Sequence, residues 1–98
     1  MGSSLDNITE KIISHKSQLK KDFNIKEIGI FGSFVRNEEN ENSDIDLLVE
    51  LEKPIDLFRF LDLEEYLSEL TGRKVDLVSK KALKPEISKI ILQEVVYL

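Results

Sequence analysis

The stretch Gly32-Ser33, ten further residues, then Asp44-Ile45-Asp46-Leu47-Leu48-Val49-Glu50-Leu51 decides the fold. From Asp44 onward the alternation is strict. Successive side chains of a strand point to opposite faces, so Ile45, Leu47, Val49 and Leu51 share one face, and Asp44, Asp46, Leu48 and Glu50 the other. A slip of one residue would turn the whole apolar set to the wrong side, so the same pattern fixes the register. Upstream, residues 26–31 form a short β-prone run holding Ile28, Ile30 and Phe31, closed by the Gly32-Ser33 bend. The loop joining the two strands is short for a parallel crossover that carries a helix, so we expect the strands to be antiparallel, which sets Gly32-Ser33 beside Asp44.

Outward from this pair, Leu5, Ile8, Ile12, Leu19 and Phe23 recur near helical spacing with Lys11, Lys16, Gln18, Lys20 and Lys21 between them, which predicts one amphipathic first helix. Ser33 suits the N-cap of a short helix over residues 34–39, and the polar run 40–43 ends it in a loop. Pro54 stops the second strand. Asp56 suits the cap of a helix with Phe60, Leu63, Leu67 and Leu70 as its apolar stripe, and Gly72 lies just past its end. Residues 74–79 read as a third strand. Pro85 then opens a last helix with Ile87, Ile90, Ile91 and Val95 on one side. Phe58, Phe60 and Tyr66 read as core side chains and His15 as a surface residue. The order predicts an α/β fold, a small mixed β-sheet flanked by helices, in a single domain over residues 1–98. The ending Val95-Val96-Tyr97-Leu98 leaves two readings open, packing onto the domain or meeting a partner.

Asp44 and Asp46 project from one strand face, roughly 6.5 Å apart along the strand by its rise per residue. Two carboxylates so placed repel, and an ionised pair calls for a cation between them. Oxygen-only ligands favour magnesium, held by one or two carboxylates together with phosphate oxygens and water. Asp76 stands in the otherwise apolar Val75-Asp76-Leu77. If the third strand lies beside the second, Asp76 completes three acids able to hold two metal ions for phosphoryl transfer. The bland readings are a solvated strand face for Asp44 and Asp46, and for Asp76 an exposed edge-strand position or an ion pair with Lys74. Gly32 lets backbone approach a ligand, and Ser33 offers its hydroxyl and the free amides of a helix start to phosphate. No G-x-x-x-x-G-K-[ST] or G-x-G-x-x-G run occurs, which removes the main support for kinase-like and Rossmann readings. Arg36 suits a triphosphate oxygen and a surface pair with Glu38 to Glu41 equally well.

Taken together, Gly32-Ser33, the ten-residue spacer and Asp44-Ile45-Asp46 resemble the signature of the minimal nucleotidyltransferases, within the DNA polymerase β-like superfamily. The resemblance implies that Asp44, Asp46 and Asp76 are catalytic and bind two magnesium ions, that Gly32 and Ser33 bind the nucleotide, and that ATP is the substrate. It also implies an antitoxin paired with a small all-helical HEPN toxin, acting by adding AMP to a tyrosine. One departure is Arg36-Asn37-Glu38 where Arg-Gly-Glu is common; Asn tolerates the left-handed conformation, so the turn can survive.

Composition sets the remaining bounds. The chain has 98 residues, 41% hydrophobic and 34% charged, with no cysteine and a formal charge of −5. Those values fit an ordinary soluble domain, with no disulfide or thiolate site and no run long enough to span a membrane. The acidity argues against a long nucleic acid as partner but not against a nucleotide that arrives with its metal. The start, Met1 to Asp6, lacks the features of a secretory signal, so the cytoplasm is the expected location. A chain this small leaves the acceptor to a partner or to a second copy. The competing expectations are an antitoxin that works by occlusion alone, and transfer to a small molecule such as an aminoglycoside.

Overall fold

The computed structural model describes residues 4–98. The opening residues 1–3, part of the stretch read above as no signal, lie outside the described residues. The elements are helices α1 (Ser4–Ser14) and α2 (Lys16–Phe23), strand β1 (Ile25–Phe31), strand β2 (Ile45–Leu51), helix α3 (Leu57–Thr71), strand β3 (Val75–Ser79), helix α4 (Pro85–Glu94) and strand β4 (Val96–Tyr97). Tight 3-10 turns occupy Gly32–Phe34 and Lys80–Ala82.

The strands form one mixed sheet in the order β3-β2-β1-β4. β1 runs antiparallel to β2 and to β4, while β2 and β3 are parallel, joined by α3 as the crossover. The alternation of β2 appears directly in burial: Ile45, Leu47 and Val49 are fully buried in the main core. They meet Ile28 and Ile30 of β1, Val75 and Leu77 of β3, and a helical layer of Ile8, Ile12, Leu19, Phe23, Leu63 and Leu67. Each such side chain contributes about 1.5–3 kcal/mol by leaving water. Leu48 is buried on the other face, outside that core, as is Ile91 of α4. Beside Leu48 in register, Gly29 packs so close to Val95 that an added Cβ would lie 2.5 Å from Val95 Cγ2. The C-terminal segment therefore covers part of the face that carries the acids.

The start and stop signals of α3 work as the sequence implies. Asp56 accepts a hydrogen bond from the Arg59 amide at 2.8 Å, and Gly72 closes the helix at φ 73°. Five expectations need correction. The first helix is two, broken at His15, where Ser14 Oγ bonds the Lys11 carbonyl at 2.8 Å and His15 Nδ1 approaches the same carbonyl at 2.9 Å. Side chains competing for helix carbonyls favour such a break. His15 is half-buried, edge-on to Tyr66, rather than at the free surface. No helix covers residues 34–39, and Ser33 caps nothing. The 3-10 turn starts from Phe31 without a side-chain cap, and Asn37 in the left-handed region (φ 58°) turns the chain instead. Phe58 is exposed, not core, while Phe60 and Tyr66 are partly buried against the core. On α4 only Ile91 is buried, with Ile87 and Ile90 exposed. The ending packs onto the domain, since β4 pairs with β1 and Leu98 lies on the core, while Val96 and Tyr97 keep exposed side chains.

Candidate active site

β1 delivers the chain to the bend, and the register places the acids. Phe31 pairs with Asp46 across the antiparallel ladder, and Asp46 pairs with Asp76 across the parallel one. Cross-strand partners project to the same face, so Asp46 and Asp76 stand side by side at the entry ends of β2 and β3. Asp44 lies one residue before β2; the Ile45 amide bonds the Lys74 carbonyl at 2.9 Å, and Asp44 Oδ2 lies 3.9 Å from Lys74 Nζ. Lys74 thus pairs with Asp44 rather than with Asp76. Asp76 is exposed on the edge strand, as its bland reading foresaw, and is also in register with Asp46.

The bend is built around Gly32, buried and at φ +80°, a conformation that side chains rarely adopt. A Cβ there would stand 2.1 Å from Asp46 Oδ2, so only glycine lets the bend lie against that carboxylate. The Gly32 carbonyl accepts from the amides of Val35 at 3.1 Å and Arg36 at 3.2 Å, and Ser33 O accepts from the Glu38 amide at 2.9 Å. The loop beyond is tied down by Arg73, whose Nη1 bonds the Asn40 carbonyl at 3.0 Å while its guanidinium lies over the Phe34 ring.

Burial pushes the Asp46 carboxyl up from its ordinary pKa, and the charges of Asp76 and then Asp44 push it the same way, against a smaller opposing pull from Arg36. Glu94, which sequence reasoning missed, enters here beside Arg36, which it left open between two readings. Glu94, at the end of α4, accepts from the Gly32 amide at 2.9 Å and from Arg36 Nη1, and Arg36 also pairs with Glu38 at 3.2 Å. The amide of Gly32, on the bend expected to face phosphate, is therefore already engaged. No local motif signals Glu94; it lies 62 residues from Gly32.

Among the described residues, no group of three or more His, Cys, Asp or Glu side chains is gathered closely enough to hold a metal ion. The three acids expected to converge thus form an aligned pair with Asp44 alongside, not a closed cage. That arrangement still suits magnesium, which takes one or two protein carboxylates and completes its shell with phosphate oxygens and water. The crowding of negative charge on Asp46 also favours a cation there. A separate cavity of about 470 Å³ lies at the far ends of β2 and β3, lined by Leu51, Ile55, Phe60 and Leu77; none of the three acids borders it.

The fold and the aligned acids beside a glycine bend define a class, and comparison with known proteins agrees. The nucleotidyltransferase domain family model matches residues 12–98. The chain belongs to the nucleotidyltransferase family, as a minimal nucleotidyltransferase with the polymerase β-like fold. Protein adenylyltransferase MntA of Thermococcus cleftensis is 48% identical over 94 residues, spanning 96% of this chain and 95% of its own. A solved structure assigned as a minimal nucleotidyltransferase superposes with a TM-score of 0.83 at 31% identity, covering 96% of this chain and 95% of the other. A toxin–antitoxin structure with AMP-PNP shares the fold at a TM-score of 0.75 and 24% identity, over 90% of this chain and 69% of the other.

Proposed function

We propose that this chain transfers AMP from ATP to a hydroxyl of a partner protein, a tyrosine of an all-helical HEPN toxin, and so acts as the antitoxin of a pair. The observation that carries the reading is the Asp46–Asp76 register beside the Gly32 bend. The name of the T. cleftensis relative supports adenylyl transfer to protein, and the toxin–antitoxin structure with AMP-PNP supports the pairing and the nucleotide.

In this reading Asp44, Asp46 and Asp76 hold magnesium. Bound there, it would neutralise charge on the phosphates and lower the pKa of an attacking hydroxyl. The chain's own residues do the rest. Gly32, by letting the bend come close, and Ser33, through its hydroxyl, form the wall against the terminal phosphates, and Arg36 adds a guanidinium suited to phosphate oxygens. The acceptor oxygen bonds to the α-phosphorus as the bond to the bridging oxygen of the β-phosphate breaks, and pyrophosphate leaves. Asp76, exposed at the open side, takes the acceptor proton. Catalysis is mostly positioning and charge stabilisation. The acids lie toward solvent rather than in the cavity at the far ends of β2 and β3, which fits a site whose second wall is the acceptor protein.

The test is transfer of labelled AMP from ATP to a candidate HEPN partner protein, in magnesium. The wild type labels it, and Asp46→Asn, folded by circular dichroism, labels less than about one part in a thousand, the scale on which removing one key electrostatic group acts. Undiminished labelling by the variant would sink the assignment.

A further inference from the structure

The C-terminal end of α4 meets the bend through one mostly buried carboxylate. The Glu94 side chain is 21% exposed and both its oxygens are engaged. Oε1 accepts from the Gly32 amide at 2.9 Å and from Arg36 Nη1 at 3.1 Å, and Oε2 accepts from the same Nη1 at 3.0 Å. Its two donors, the Gly32 amide and Arg36 Nη1, belong to the residues that the reading above sets against the terminal phosphates.

Resting on that reading of the bend as a nucleotide site, we propose that Glu94 is a positioning residue for the triphosphate: it clamps the Gly32 amide and the Arg36 guanidinium so that bend and positive charge are presented together beside Asp46.

Three observations favour a lasting clamp over a plug that ATP pushes out. The Gly32 amide is already satisfied by Glu94, so exchanging that bond for one to phosphate would gain the buried bend no new hydrogen bond. The carboxylate belongs to a segment zipped onto the strand that carries the bend: Val95 packs on Gly29, β4 pairs with β1, and the Leu98 amide bonds the Ile28 carbonyl at 2.9 Å. The clamp also leaves Arg36 usable. Glu94 takes Nη1 and Glu38 takes Nε at 3.2 Å, so Nη2 stands outside these bonds. Arg36 is about half exposed and would otherwise sample many rotamers, so holding it in advance reduces the entropy lost when phosphate binds. Its charge already acts on Asp46, so the guanidinium is held within reach of the acids.

Calorimetric titration of the wild type, Glu94→Gln, Arg36→Ala and the double variant tests this, with ATP, tripolyphosphate and AMP as ligands in magnesium. Glu94→Gln is expected to raise the Kd for ATP and for tripolyphosphate about tenfold and that for AMP less than twofold. Glu94→Gln should weaken ATP binding less in the Arg36→Ala background than in the wild type, because only the hold on the bend is then left to lose. A purely structural role would weaken ATP and AMP alike, and a plug would give tighter ATP binding in Glu94→Gln; either result overturns the proposal, as does unchanged ATP binding. If Glu94→Gln does not fold, Glu94→Asp, which keeps the charge on a shorter stem, should show the same selective loss to a smaller degree; equal loss for ATP and AMP counts against the proposal. A wild type that binds none of the three ligands overturns the nucleotide reading itself, an outcome distinct from the others.

Discussion

Replacing Asp46 by Asn separates what that side chain does for folding from what it does for chemistry. Its carboxyl is pushed up first by burial and then by Asp76 and Asp44, so the folded chain holds that proton more tightly than the unfolded one. The stability this gives is present below the ordinary carboxylate range, near pH 4, and is lost as pH rises through the elevated folded value. Without ligands, Asp46→Asn should therefore melt above the wild type at pH 7–8, with the gap closing as the pH falls below about 4; thermal scans across that range check it. Magnesium and ATP should reverse the order, since about 2.7 kcal/mol of stabilisation accompanies ligand at a hundred times its Kd and the variant would receive little of it. Gly32→Ala is the geometric counterpart. Its Cβ would stand 2.1 Å from Asp46 Oδ2 at φ +80°, so we expect about 1–3 kcal/mol of destabilisation and a loss of transfer near a hundredfold, from denaturant melts and labelling rates.

At the scale of elements, caps and core can be altered without touching the acids. Asp56→Ala removes the bond to the Arg59 amide and should cost about 1 kcal/mol, lowering Tm by roughly 4–8 °C while leaving labelling intact well below the melt. Leu63→Ala opens a fully buried position in α3 and should cost about 2–5 kcal/mol in chemical denaturation. The same elements show what a sequence discloses. β2 was legible because its period of two places Ile45, Leu47 and Val49 inward, and α3 because Asp56 and Gly72 punctuate it. The break at His15 was not, because Leu19 and Phe23 keep nearly the helical rhythm across it and the cause is local competition for the Lys11 carbonyl. Nor was the turn after Gly32, where Asn37 takes a left-handed conformation in place of a helix that Ser33 would cap.

At the scale of the molecule, adjacency made the site only partly readable. The Asp44-Ile45-Asp46 spacing fixes two acids on one face, and Asp76 falls in register with Asp46 because β3 pairs beside β2 in parallel, a pairing the sequence suggested but did not contain. Glu94 was invisible, since only the folding back of α4 and β4 along β1 carries it to Gly32. The proposal that chemistry rather than occlusion silences the toxin makes a separable claim. The triple variant Asp44→Asn, Asp46→Asn, Asp76→Asn should still form the complex, because isosteric amides leave the surface shape unchanged, yet should fail to neutralise the partner in a growth assay.

The most direct measurement is the intact mass of the partner toxin after incubation with this protein, ATP and magnesium. An added AMP on a tyrosine, absent when Asp46→Asn replaces the wild type, is the result the account predicts. A toxin silenced with its mass unchanged would contradict it.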